Sequence, residues 1–229
     1  MKKVIVILFL ISISQFINAQ EVDLDNKYFI GGSVNFSIQN NFSPITSLPA
    51  IFPNEVSSSS NNDFKRTILY FSPYIGKELN PKLYIGANIG YTIAHLTTNL
   101  TSIGSPPSDE FKINSNEIEF GLFFRQLINP SNSLKFYIQP YFDYNILNEK
   151  TYVGSDYTEE IDVKYYEVGA RIGLMYYVSK NFRAIMQTRL FSYTGGSWKN
   201  SIDNKSQSFN SFNTYLNLSS FGLGFEYRW

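Results

Sequence analysis

Beyond residue 19 the apolar side chains of this sequence recur at every second position, in eight separate runs. No continuous apolar stretch there approaches the roughly 18 residues that a membrane-crossing helix needs. A period of two sends alternate side chains to opposite faces of an extended strand. The pattern therefore predicts an all-β chain with one apolar face and excludes transmembrane helices. The runs fall near 28–39, 66–77, 83–93, 117–125, 136–146, 166–176, 183–190 and 216–229. In the third, Leu83, Ile85, Ala87, Ile89, Tyr91 and Ile93 oppose Gly86, Asn88, Gly90 and Thr92. In the last, Phe221, Leu223, Phe225, Tyr227 and Trp229 oppose Gly222, Gly224, Glu226 and Arg228. Leu216 and Leu218 sit on the other phase, and a bulge near Ser219-Ser220 would restore register.

Connections of two kinds separate the runs. Segments 78–81, 129–132 and 179–181 are short and rich in Asn, Pro and Ser, as tight turns require. Segments 40–65, 97–114, 148–162 and 195–211 are long and polar. Long and short alternate strictly, which is the order of an antiparallel up-and-down meander with its long loops at one end. Closing eight such strands into a barrel removes the sheet edges. It is also one of the two ways in which a backbone is satisfied inside lipid. Most runs offer about 10 to 13 alternating residues, where a tilted spanning strand needs about 9 to 11.

Alternation alone leaves open which face points outward: a soluble lipocalin-type barrel is apolar inside. Three observations favour apolar-out. The polar phase carries both signs of charge near mid-strand, at Glu119, Arg125, Glu167, Arg171, Arg189 and Glu226, and a narrow lumen would pair them. That phase is also rich in glycine. Aromatic residues collect at the two ends of the runs. Tyr28, Tyr84, Phe136, Tyr176, Phe182, Tyr227 and Trp229 mark the turn end, and Phe36, Tyr91, Tyr144, Tyr165, Phe191 and Tyr193 the loop end. Two such belts mark the interfaces of a bilayer.

The N-terminus agrees with export. Lys2 and Lys3 precede an apolar run over 4–13, and Ile17-Asn18-Ala19 supplies a small residue for cleavage, the layout of a signal peptide. Residues 1–19 are read as that leader and 20–229 as one β-barrel domain. Removing Lys2 and Lys3 leaves two more acidic than basic side chains, a balance that gives no reason to expect a nucleic-acid partner. The chain has no cysteine, so disulfides do not hold it.

Signal peptide, eight amphipathic strands, alternating loop lengths and a final strand with a terminal aromatic residue together resemble the OmpA/OmpX-type eight-stranded outer-membrane barrels. The leader, with Ala19-Gln20 at its cut, resembles those of Bacteroidetes outer-membrane β-barrel or porin-family proteins. The resemblance covers the whole mature chain and is architectural. It implies residence in the outer membrane, with short periplasmic turns, long extracellular loops, and contact with outer-membrane lipid and lipopolysaccharide. It also implies that Phe221, Leu223, Phe225, Tyr227 and Trp229 form the signal read by the barrel-assembly machinery, with Trp in place of the family's usual terminal Phe.

Chemical motifs are few. His95, the only histidine, falls near the loop end of the third run and on its outward phase. Some outer-membrane barrels modify lipid A through His-centred sites; such a role would need a nucleophile and a carboxylate within hydrogen-bond reach, and His95 is read as an interfacial, structural residue. Asp156, Glu159, Glu160 and Asp162 lack the glycine and spacing of a calcium loop and read as a solvated acidic loop. Ser57 to Ser60 with Asn61 and Asn62 reads as a flexible polar tract. No cofactor or metal site and no enzymatic activity are expected. The functional expectation is a closed barrel acting through its extracellular loops in surface interaction, adhesion or membrane integrity. A narrow solute channel is the alternative, ahead of an outer-leaflet enzyme or a secreted soluble barrel.

Overall fold

The computed structural model describes residues 27–40, 64–99, 110–128, 133–153, 156–201, 205–214 and 222–229. The predicted leader, the Ser57–Ser60 tract, Phe221 and the expected bulge at Ser219-Ser220 lie outside these residues. Among the described residues nine strands are formed: β1 (Tyr28–Asn40), β2 (Phe64–Asn80), β3 (Leu83–Asn99), β4 (Glu110–Ile128), β5 (Leu134–Val153), β6 (Asp156–Tyr177), β7 (Phe182–Asn200), β8 (Ser206–Thr214) and β9 (Gly222–Arg228).

Each of β1 to β7 pairs antiparallel with its neighbour in sequence, and β9 lies between β7 and β1 and closes the ring. The ring has eight strand positions, because β8 and β9 share one. β9 pairs the first part of β7, and β8 pairs its far part. The registers show how the two pieces are offset. From Gln187 to Phe191 β7 advances four residues, while its partner advances eight, from Gly222 back to Thr214.

Exposure decides which face points outward. Ile30, Val34, Phe71, Ile75, Ile89, Phe120, Leu122, Phe136, Phe142, Leu223 and Phe225 are all exposed on the outer wall. Charged and polar side chains, among them Glu119, Arg125, Asp143, Arg183 and Glu226, are buried inside. The aromatic ends follow with two corrections. Tyr84 and Tyr165 point inward: Tyr84 is 1% exposed, and the Tyr165 hydroxyl bonds Glu117 within the lumen.

The strands run well past the outer apolar band. Two of the expected long loops, 148–162 and 195–211, are for the most part strand, built into the β5–β6 and β7–β8 hairpins. The reason is a reversal of phase. Above the band the apolar residues turn inward: Leu147, Ile161 and Val163 pack together, with Tyr165, Trp198 and Phe209 against them. Outward neighbours such as Lys150, Asp162 and Lys164 are polar. This part of the wall has the sense of a water-soluble barrel, so a search for outward apolar residues misses it.

The lower lumen is filled by rings seated on glycines. Phe29 lies over Gly76, Phe123 over Gly86 and Tyr137 over Gly173, each where a Cβ would overlap the ring. A Cβ on Gly86 would also stand 2.7 Å from the Ile75 carbonyl oxygen, which belongs to the sheet and has little freedom to withdraw. Gly86→Val is therefore expected to lose about 1–3 kcal/mol or more in urea unfolding. Gly222→Ala, whose Cβ meets nothing closer than 3.8 Å, should unfold like the parent. Equal midpoints for the two variants would refute the ring-on-glycine packing.

Candidate functional site

The barrel interior carries two polar clusters, stacked along its axis. At the turn end Arg125 of β4 crosses the lumen to form an ion pair with Glu226 of β9. Its Nε donates to Gln139 Oε1 at 2.9 Å. Four rings surround the guanidinium, with centroids at 5.9 Å (Phe29), 5.8 Å (Tyr74), 5.4 Å (Phe123) and 4.8 Å (Tyr137). Cation–π attraction and the ion pair together offset the desolvation of a fully buried cation. The other Glu226 oxygen accepts from Arg183 Nη1 at 3.4 Å. Glu78 pairs with Arg183 at 3.7 Å and with Arg228 at 3.1 Å.

Farther up, Arg171 Nη2 donates to Asp143 Oδ2 at 2.6 Å and lies 4.0 Å from the centroid of Tyr141. The Tyr141 hydroxyl donates to Glu167, which pairs with Arg189 Nε at 3.5 Å. Glu119 accepts from Asn88 Nδ2 at 2.6 Å and from the Tyr70 hydroxyl at 3.1 Å. Above the outer band, burial pushes the Glu149 carboxyl up to about 7. Ser115 Oγ, donating to it at 3.1 Å, pulls the other way.

A sequence profile of the outer membrane protein beta-barrel domain matches residues 14–229. The chain belongs to that family. Its place is accordingly the outer membrane, and the exposed apolar band is its lipid-facing surface. Among solved structures it is similar to a major outer membrane protein from Thermus thermophilus. That pair shares 10% identity, covers 90% of this chain and 100% of the other, and has a TM-score of 0.44. Ail, the attachment invasion locus protein of Yersinia pestis, matches at 11% identity, 90% and 100% coverage and a TM-score of 0.38. Neisserial surface protein A matches at 11% identity, 88% and 96% coverage and a TM-score of 0.35. No curated protein matches the sequence. The family assignment rests on the sequence profile.

Within this outer-membrane barrel the six charges singled out from sequence divide between the two clusters. Arg125 and Glu226 meet at the turn end; Glu119, Glu167, Arg171 and Arg189 lie in the upper group. Arg189 is the least buried, with 40% of its side chain exposed. Sequence reasoning did not single out Asp143, Arg183 or Arg228, although each lies on the polar phase of its run, and it assigned Glu78 to the tight turn 78–81, where the structure continues β2 to Asn80. It also passed over the inward rings. Adjacent aromatic pairs, Tyr28-Phe29, Phe123-Phe124, Phe136-Tyr137 and Tyr141-Phe142, were the signal: neighbours in a strand face opposite ways, so one of each pair must point inward.

Leu223, Phe225, Tyr227 and Trp229 all stand exposed on the outer wall. His95 is also outward, with Nδ1 2.8 Å from Asn114 Oδ1, so its neighbour is a carboxamide rather than a carboxylate. The acidic group on β6 is strand rather than loop. Asn148 Nδ2 donates to Glu160 and Asp162 at 2.8 and 2.9 Å, and Asn200 Nδ2 donates to Glu159 at 2.5 Å. Among the described residues no three His, Cys, Asp or Glu side chains are grouped to hold a metal.

Proposed function

We propose that this outer-membrane protein works as a closed barrel whose interactions are made at its extracellular rim, in surface contact, adhesion or membrane integrity. The observation that carries this reading is the turn-end cluster. Arg125, Arg183 and Glu226 are buried to 1% exposure or less and bridge opposite walls, and Phe29, Tyr84, Phe123 and Tyr137 fill the space around them. A permeating ion would have to displace paired charges held in a low-dielectric, aromatic environment. The turn-end charges are paired with one another, which favours a structural role for that part of the interior over a catalytic one.

The rim also suits its lipid neighbours. Lys65, Lys164 and Lys199 are exposed beyond the apolar band, and cations there would attract the anionic groups of lipopolysaccharide. The test is electrical. Purified barrel reconstituted in a planar bilayer is expected to give no steady ion conductance. Stable single-channel steps from the unmodified protein would overturn the closed-lumen reading and leave the narrow solute channel in its place.

A further inference from the structure

Three buried side-chain oxygens on the inner walls of β3 and β5 accept no hydrogen bond: Asn88 Oδ1, Asp143 Oδ1 and Asn145 Oδ1. Two of them converge. Asn88, Gly121 and Asp143 lie side by side across β3, β4 and β5. Gly121, lacking a side chain, lets its two neighbours lean over its Cα, and the place where they meet is a polar recess in the wall. Asn88 Oδ1 and Asp143 Oδ1 both reach the spot its Cβ would occupy. Asn145 is the next inward residue along β5, opposite Glu119.

The orientations are set by partners on the far side of each group. Asn88 Nδ2 donates to Glu119 Oε1 at 2.6 Å and to Ser72 Oγ at 3.5 Å, which turns the carbonyl oxygen toward the recess. Asp143 gives its other oxygen to Arg171. Charge adds a second reason for a ligand. Glu117, Glu119, Asp143 and Glu167 face this stretch of lumen, and the arginines there are Arg171 and Arg189. The carboxyl groups outnumber the guanidinium groups there by two, and an uncompensated charge is costly away from water.

We propose that the recess beside Gly121 binds one hard divalent cation of the calcium class, held by Asp143 Oδ1 and Asn88 Oδ1, with Asn145 Oδ1 and water as further ligands. The donors are carboxylate and carboxamide oxygens, with no nitrogen or sulfur among them, the set that calcium takes in flexible geometry at about 2.3–2.6 Å. Asp143 then bridges the ion and Arg171, and one divalent charge balances the excess.

The experiment uses the whole mature chain, refolded in detergent free of lipopolysaccharide and stripped with a chelator. Titration with calcium chloride in a calorimeter is expected to show one saturable event per barrel and a higher unfolding temperature. Asp143→Asn and Gly121→Ala should each weaken binding by about tenfold or more, the second by filling the recess without changing charge. Glu160→Gln, on the outer face, should bind as the parent does. Gel mobility of the unboiled sample reports whether each variant is folded, and Asp143→Asn keeps the question open where Gly121→Ala does not fold. Absence of a saturable event with calcium or magnesium would leave only water in the recess and overturn the proposal. Undiminished binding in Asp143→Asn would place the ion elsewhere and overturn it as well.

Discussion

Glu226→Ala should cost the barrel about 3–5 kcal/mol, the penalty for removing one partner of a buried ion pair. Glu226 is fully buried and is the only carboxylate paired with Arg125 among the described ion pairs. It also accepts from Arg183, which is itself fully buried. Without it two guanidinium groups remain inside with their neutralising charge reduced to Glu78, which pairs with Arg183 at 3.7 Å and with Arg228 at 3.1 Å. The rings around Arg125 attract a cation but do not neutralise it. Urea unfolding in detergent, followed by the mobility shift between folded and boiled forms, reads the effect. Glu226→Gln should fall between parent and alanine variant, since it keeps volume and one acceptor. The pair Arg125→Met with Glu226→Leu should recover much of the loss by replacing one ionic contact with apolar packing. A Glu226→Ala midpoint equal to the parent's would show that the turn-end charges contribute nothing to the fold.

The second large effect is expected in the cell. Leu223, Phe225, Tyr227 and Trp229 present one outward apolar row, and Trp229 ends it. Its ring lies 6.4 Å from Tyr28 and 6.4 Å from Tyr227, and its backbone N–H donates to the Tyr28 carbonyl at 3.1 Å. Deleting Trp229, or replacing it with Asp, is expected to reduce assembled barrel in the outer membrane severalfold. The same variants should still refold from urea in detergent. That contrast separates recognition by the assembly machinery from plain stability. Normal insertion of both variants would show that the terminus carries no signal, and parallel failure in detergent would assign the effect to folding.

The sequence made the barrel legible because lipid imposes a strict rule: within the band every second residue must be apolar, and Ile85, Ile89 and Tyr91 keep to it. The rule says little about the lumen, where glycine, arginine and tyrosine are equally admissible. Arg125 and Glu226 could be named from their phase, but their meeting could not, because β4 and β9 come together only when the ring closes. Phe29 and Phe123 were hidden by their own chemistry, since a large ring on the inner phase reads as a break in the pattern. It is accommodated because a glycine on a neighbouring strand makes room for it, and that pairing lies in the register between strands. The reversal above the band escaped for a related reason. Leu147, Ile161 and Val163 alternate correctly but with the opposite sense, and a single-phase reading takes such a stretch for loop.

That reversal bears on how another molecule meets this one. A molecule approaching along β5–β7 would meet a paired sheet carrying Lys150, Glu160, Asp162, Lys164 and Lys199 at spacings fixed by strand pairing. Recognition there would be conformational: a footprint drawn from several strands at once, erased by boiling and absent from any linear peptide of the same sequence.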